Sequence, residues 1–179
     1  KLHGVVNGID QKEYDPKHDK RLFAQYGVKD FAKGKAENKK ALCEMINLGF
    51  DENRPLVAMV TRLTEQKGMD LVSAVIDDIM RADIQMVILG TGDWKYENMI
   101  KSVEGRYPNK FRAILAFSQG LASKLYAASD LFLMPSKFEP CGLSQLIAMR
   151  YGSIPIVRET GGLKDTVPAY NCETGEGKG

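Results

Sequence analysis

Residues 56–89 read LVAMVTRLTEQKGMDLVSAVIDDIMRADIQMVIL. Two runs of apolar residues, 56–61 and 85–89, stand at the ends of this stretch, and each has the length of a buried strand. Between them, apolar residues recur at helical spacing across 68–80, as in an amphipathic helix. A strand, a helix and a second strand in this order are typical of the βαβ unit of a parallel sheet. The stretch therefore predicts an α/β fold.

The alternation of apolar runs and helical segments continues to residue 157. The pattern predicts helices at 97–106, 119–128 and 143–151, and further strands at 111–115, 131–134 and 154–157. Together with the first two, this makes five strands. We therefore expect a Rossmann-like parallel sheet with flanking helices.

Residues 1–50 have a different pattern. Residues 3–10 resemble a strand that leads into a turn, and 37–48 resemble an amphipathic helix. We therefore predict a lead-in segment at 1–50 and a Rossmann-like domain at 51–179. The only basic cluster lies in the lead-in, and a solvated surface is favoured over a polyanion site. Its members are Lys29, Lys33, Lys35, Lys39 and Lys40.

The composition excludes several classes of protein. The chain has 179 residues, 44% of them apolar and 27% charged, which is typical of a folded globular protein. A net charge of +2 is too small to indicate nucleic-acid binding. The apolar runs are far shorter than the roughly 18 residues that a transmembrane helix needs, and no secretory signal is seen, so we expect no membrane partner.

The cysteines and the two ends of the chain give further expectations. Cys43, Cys141 and Cys172 are odd in number and form no C-x-x-C pair, which disfavours both a disulfide framework and a zinc site. A reducing cytoplasmic compartment fits this pattern best. The first residues lack a Met and the last six resemble a loop, so we interpret the chain as a fragment of a longer protein.

Candidate site residues follow the predicted strands, because ligands of parallel α/β sheets bind outside the carboxyl ends of the strands. The first segment, TRLTEQKG at 61–68, places Arg62 at the end of a strand and Lys67 just before a helix. Two cations in these positions could neutralise a diphosphate. Taken alone, such residues are more often surface charges.

The second and third segments carry weaker signals. In LGTGD at 89–93, the backbone of Gly90 and Gly92 could approach a ligand closely, although a plain turn is favoured. Lys95 occupies the place of the third glycine of G-x-G-x-x-G, so the dinucleotide-binding fingerprint is absent. After the third strand, Phe117 could stack on a base, but the pattern alone favours a core aromatic.

The fourth segment, SKFEPCGLS at 136–144, has the strongest signal because it runs from a strand end into a helix. Glu139 could accept hydrogen bonds from sugar hydroxyls or stabilise positive charge, and an ordinary carboxylate at a helix N-terminus is equally open. Cys141 is interpreted as a packed free thiol, because no histidine lies near it in the sequence. The amides that would point at an anion belong to Gly142, Leu143 and Ser144.

Several motifs together resemble the C-terminal domain of bacterial glycogen synthases and plant starch synthases, and the match covers essentially the whole chain. This resemblance implies the second lobe of a two-lobed GT-B glycosyltransferase, truncated at both ends, without its last strand and C-terminal helices. The motifs are GVVNGID at 4–10, YDP at 14–16, TRLTEQKG at 61–68, LGTG at 89–92, KFEPCGLSQ at 137–145, MRYG at 149–152 and TGGLKDT at 160–166.

The resemblance implies a retaining transferase that moves glucose from ADP-glucose to the nonreducing end of an α-1,4-glucan, without a metal or other cofactor. Arg62 and Lys67 match the family's contacts to the donor diphosphate, and Glu139 lies against the donor glucose. These three are the implied catalytic residues. The implied substrate-binding residues are Gly90, Gly92, Phe117 against adenine, Cys141, Gly142, Leu143, Ser144, Thr160 and Gly161.

The resemblance also limits what the chain can do alone. The N-terminal lobe of the family is missing, so we expect nucleotide binding without glucan synthesis. Ile147 stands where many related transferases carry a second glutamate, and Gln145 favours the starch synthase branch. A noncatalytic module that binds sugar nucleotide or glucan, and a transferase that uses a UDP-sugar, are the alternatives. A bacterial cytoplasm is the expected location, or a plastid for a plant parent.

Overall fold

Five short strands form one parallel sheet in the computed structural model, which describes residues 3–177 and 179. All five lie where the sequence predicts them. The strands are β1 (Leu56–Val60), β2 (Gln85–Leu89), β3 (Phe111–Ile114), β4 (Leu131–Met134) and β5 (Ile154–Val157). The helices are α1 (Phe31–Met45), α2 (Met69–Arg81), α3 (Trp94–Arg106), α4 (Gln119–Ala128), α5 (Ser144–Arg150) and α6 (Gly161–Thr166), with a 3₁₀ turn at Glu65–Lys67.

The order of the strands determines where a ligand can bind. The sheet runs β3-β2-β1-β4-β5, so the chain builds outward from β1 on one side and then returns to build on the other. In register, Val57 of β1 pairs with Met86 of β2 and with Leu131 of β4. The connections therefore diverge between β1 and β4, and ligands of open parallel sheets bind at such a switch point.

Both faces of the sheet are covered by helices, and the alternation along each strand separates two cores. Leu56 and Ala58 face the helices α1, α4 and α5, in a core that includes Phe132. Val57 and Met59 face the opposite layer, where α2 and α3 pack. Burial on both faces explains why the strands are continuous apolar runs and lack polar residues at alternate positions.

The segment before residue 50 contributes to the first of these cores. Helix α1 packs against α4, and Leu42 and Leu48 are buried with the strands. The helix begins six residues before the predicted start at Glu37. Residues from both sides of the predicted boundary at residue 50 therefore share one core.

The predicted strand at 3–10 is wrong. No strand lies in this stretch, and Val5 and Val6 are 93% and 56% exposed. Two adjacent apolar residues would point to opposite faces of a strand, so a strand here would have no single face to bury. Only Ile9 of this stretch packs against the core.

The prediction of a solvated surface is confirmed for three lysines of the basic cluster, Lys29, Lys33 and Lys40, and is wrong for the other two. Lys35 and Lys39 are 8% and 6% exposed. Lys35 Nζ donates to the carbonyl oxygens of three residues at 2.8–3.2 Å, and Lys39 Nζ pairs with Asp130 at 3.0 Å. Lys35 satisfies carbonyls where α4 and α5 end, and Lys39 binds Asp130 just before β4, so the two lysines hold α1 against the sheet. The three carbonyls bound by Lys35 belong to Ala127, Ser129 and Tyr151.

The buried Lys35 should make the stability of the chain depend on pH. Burial lowers the pKa of Lys35 to about 8, against 10.5 for an exposed lysine. Between these values the unfolded chain binds more protons, so the free energy of unfolding should rise with pH, by at most ~1.4 kcal/mol per unit. Urea unfolding from about pH 7.5 to about pH 9.5 would measure it. The Lys35→Met variant is the control, and an equal slope in both proteins would contradict the assignment.

Candidate functional site

Two adjoining cavities lie at the carboxyl edge of the sheet, at the switch between β1 and β4. The larger has a volume of about 490 Å³ and the smaller about 170 Å³. Val60 and Thr61, at the end of β1, line both cavities. All four loops in which the sequence predicts a ligand site therefore meet in one region.

The larger cavity is formed by the ends of β1, β2 and β3. It collects three of the predicted site residues, Arg62, Gly90 and Phe117. Phe117 is 96% exposed, so its ring stands at the rim and is free to stack on a ligand, and the core-aromatic interpretation is wrong. The rest of the wall is mostly apolar and includes Tyr14, Leu89, Ala116, Ala122, Tyr126 and Ile147.

Glycines bring the loops after β1 and β2 together. A Cβ on Gly90 would lie 1.8 Å from the carbonyl oxygen of Thr61, and one on Gly92 would lie 2.4 Å from that of Leu63. Leu63 and Gly92 form an isolated parallel bridge that extends the β1–β2 pairing past the strand ends. Both glycines are therefore needed for backbone approach, whereas only Gly90 also lines the cavity.

The smaller cavity is formed by the ends of β1 and β4, and an ion pair crosses it. Lys67 Nζ lies 2.5 Å from Glu139 Oε2, and the two side chains are 17% and 13% exposed. Glu139 lies five residues before the start of α5. It is therefore not a carboxylate in the first turn of that helix, as one interpretation of the sequence supposed. A largely buried pair of opposite charges at a switch point is typical of a binding or catalytic site.

Two further contacts hold the loop that carries Glu139. The amide of Gly162 donates to the carbonyl of Glu139 at 2.9 Å, and a Cβ on Gly161, whose φ is +45°, would lie 2.4 Å from the same oxygen. On the other side, Gln145 Nε2 lies 3.0 Å and 3.1 Å from the carbonyl oxygens of Cys141 and Gly142. The start of α6 and the side chain of Gln145 therefore fix this loop from behind.

The remaining predicted residues divide into two groups. Gly142, Leu143 and Ser144 line the smaller cavity beside Lys67 and Glu139. Thr160, Gly161 and Cys141 line neither cavity; Gly161 lies against the carbonyl of Glu139, and Cys141 belongs to the same loop as Glu139. Cys141 Sγ lies 3.9 Å from the carbonyl oxygen of Asn7, so the thiol faces the lead-in segment.

Sequence reasoning missed two residues that the structure places in this region. Lys137 Nζ pairs with Glu65 and Asp70 across the two loops, although it stands only two residues before Glu139. Gln145 is fully buried under the loop of Cys141. Both residues lie inside the fourth motif, which is the signal that could have identified them. Lys137 pairs with residues distant in the sequence and Gln145 binds backbone carbonyls, and no periodic pattern identifies such contacts.

A third cavity lies away from these loops. It has a volume of about 1,030 Å³, is lined by residues 15–18, 25–31 and 149–152, and lies toward the opposite edge of the sheet. Among the described residues, no group of three or more His, Cys, Asp or Glu side chains could hold a metal ion. Within the same residues, none of the helices has the length and apolar character needed to cross a membrane.

Comparison with known proteins identifies the family of this chain. Residues 44–176 match the sequence model of the family described as "Glycosyl transferases group 1". The chain is 55% identical to a glycogen synthase of Clostridium acetobutylicum and 52% identical to one of Caldicellulosiruptor bescii. These matches cover 99% and 100% of the chain but 37% of each relative. The chain thus spans little more than a third of the length of these relatives.

Two solved structures also resemble this chain. The catalytic domain of starch synthase IV from Arabidopsis thaliana, bound to ADP and acarbose, superposes with a TM-score of 0.88 at 42% identity, over 96% of this chain and 35% of that one. Anabaena HepE in complex with UDP and glucose matches with a TM-score of 0.62 at 20% identity, over 93% and 41% of the two chains, and shows the fold alone. The family model covers most of the sequence, and the chain therefore belongs to the group 1 glycosyl transferases.

Proposed function

We propose that this chain is the donor-binding lobe of a glycogen or starch synthase. In this proposal, the complete enzyme transfers glucose from ADP-glucose to the nonreducing end of an α-1,4-glucan. The similarity to glycogen synthases over nearly the whole chain supports the reaction, and the ligands of the starch synthase structure support both the nucleotide and the glucan. The lobe that holds the acceptor would lie in the remaining part of the enzyme.

The Lys67–Glu139 pair at the switch point is the observation that carries this proposal. An ammonium group has three N–H donors, so Lys67 can bind Glu139 and still donate to phosphate oxygens. Arg62, exposed on the wall of the adjoining cavity, would bind the same diphosphate from the other side. Leu143 and Ser144 line the smaller cavity beside Lys67, and their amides would donate to the same anion.

The two cavities suggest how the donor would lie. The larger, mostly apolar cavity would hold the adenosine, with the base against Phe117 at the rim. The smaller, polar cavity would hold the glucose beside Glu139. The diphosphate would then bridge the two cavities near Thr61, which lines both. A nucleotide and a sugar joined by a diphosphate match this division of polar and apolar surface.

This arrangement assigns a role to each charge during transfer. When the bond from glucose to the diphosphate breaks, negative charge grows on the leaving phosphate and positive charge grows on the sugar. Lys67 and Arg62 would stabilise the first, and Glu139 would stabilise the second. We propose that the residues of the chain supply this stabilisation without a metal, in which case EDTA would leave the rate unchanged.

Residues 1–179 alone would bind donor but not synthesise glucan, because water would reach the open site.

The proposed location is the cytoplasm, which the free thiols of all three cysteines support. In the complete enzyme, two lobes would meet around the donor. The proposed partners of this chain are therefore the donor, the glucan and the other lobe.

The proposal can be tested by measuring transfer of labelled glucose to glycogen by the full-length protein, together with calorimetric titration. We expect transfer from ADP-glucose and binding of ADP, both reduced in Arg62→Ala. Transfer from UDP-glucose in preference to ADP-glucose would move the enzyme to another group of transferases. Nucleotide binding without transfer from either donor would indicate a noncatalytic module and would contradict the proposed reaction.

A further inference from the structure

Lys137 joins the loop after β4 to the loop after β1. Its Nζ lies 2.6 Å from Glu65 Oε1 and 3.0 Å from Asp70 Oδ2. Its backbone amide donates to the carbonyl of Gln66 at 2.9 Å. The side chain is 33% exposed. Lys137 is therefore half-buried between the two loops that carry the Lys67–Glu139 pair.

The two carboxylates bound by Lys137 flank Lys67 in the sequence. Glu65 belongs to the same 3₁₀ turn as Lys67, and Asp70 belongs to the first turn of α2. With Glu139, three carboxylates meet two ammonium groups in this region. Hydrogen bonds to Glu65 and to Asp70 raise the pKa of Lys137, and the bond from Lys137 lowers the pKa of Asp70. Lys137 and Asp70 are therefore both charged near neutral pH.

Loss of Lys137 would leave two carboxylates without their partner. Asp70 Oδ1 is buried with no hydrogen-bond partner among the described residues, so loss of Lys137 would remove the one ammonium group that pairs with this carboxylate. Lys67 lies within three residues of both Glu65 and Asp70, and its ammonium would become available to them. Their negative charge would also repel a diphosphate, because Coulomb interactions act over several ångströms in a half-buried site.

We propose that Lys137 is a positioning residue that keeps Glu65 and Asp70 away from Lys67. Lys67 then remains available to Glu139 and to the diphosphate of the donor. Lys137 acts through these side chains and does not itself touch the substrate. The inference rests on the proposed function in one respect, the assignment of Lys67 as a diphosphate contact.

The experiment uses the full-length protein and pyrophosphate as the probe, with affinity measured by calorimetry. Lys137→Met should weaken pyrophosphate binding about tenfold, because the negative charges of two carboxylates near Lys67 are then uncompensated. Adding Glu65→Gln and Asp70→Asn to this variant should restore affinity to within about threefold, since the competing charges are gone. Lys137→Arg should bind like the wild type. A purely structural role for Lys137 would not produce this recovery.

The outcomes separate this inference from the proposed function. A triple variant that binds as weakly as Lys137→Met would overturn it, and so would unchanged binding in Lys137→Met or no binding by the wild type. If Lys137→Met does not fold, the double variant Glu65→Gln/Asp70→Asn is measured in the wild-type background instead. The inference requires this variant to bind pyrophosphate as tightly as the wild type or more tightly, and weaker binding would overturn it. The four proteins could show the expected order of pyrophosphate affinities while the wild type fails to transfer glucose from ADP-glucose. That result would support the inference and contradict only the proposed reaction.

Discussion

Replacing Glu139 with alanine should reduce the turnover of the full-length protein about 10²–10³-fold, while the affinity for ADP stays within about threefold. The carboxylate lies in the cavity proposed for glucose, so its charge acts on the sugar and not on the nucleotide. Removing it also leaves Lys67 free to bind phosphate, which opposes any loss of ADP affinity. Steady-state kinetics and calorimetric titration with ADP would measure the two quantities.

Two variants serve as controls for this prediction. Glu139→Gln keeps the shape of the side chain and removes the charge, so it should be impaired nearly as much as the alanine variant. Glu159→Ala removes an exposed carboxylate that pairs with Lys164 at 3.3 Å, and it should have little effect. Equal losses of turnover and ADP affinity in Glu139→Ala would mean that Glu139 only holds the loop in place.

Replacing Lys67 with methionine should weaken ADP binding about 10–100-fold and reduce turnover as well, because a diphosphate contact is present in both the ground state and the transition state. Part of the loss comes from Glu139, which is 13% exposed and would be left as an unpaired charge facing the phosphates. The same calorimetric titration would measure the change.

The contribution of Glu139 to this loss can be separated with a double variant. Lys67→Met/Glu139→Gln removes the unpaired charge, so it should recover part of the ADP affinity without recovering turnover. Lys33→Met is the matched control, because Lys33 is 82% exposed on α1 and far from the site in the fold. Unchanged ADP affinity in Lys67→Met would exclude the diphosphate contact.

Much of the site was predictable because its residues follow strands. The ends of four parallel strands lie at one edge, so residues such as Arg62, Phe117 and Glu139 had to lie in one region. The strand and helix pattern alone did not show whether Phe117 points into the core or to solvent. It also did not show that Glu139 pairs with Lys67 and lies outside the first turn of α5. Roles at the level of single residues, and the domain boundary at residue 50, stay predictions.

The five strands, the helices between them and the family were predictable from the amino-acid sequence, because apolar periodicity and short motifs are local properties of the chain. Which residues meet depends on the folded chain. Lys67 and Glu139 are 72 residues apart, and Lys35 reaches carbonyls 92 to 116 residues away. Such contacts depend on strand order and on the packing of helices over the sheet. The same packing leaves residues 3–10 without a strand and buries two lysines that their polarity would place in water.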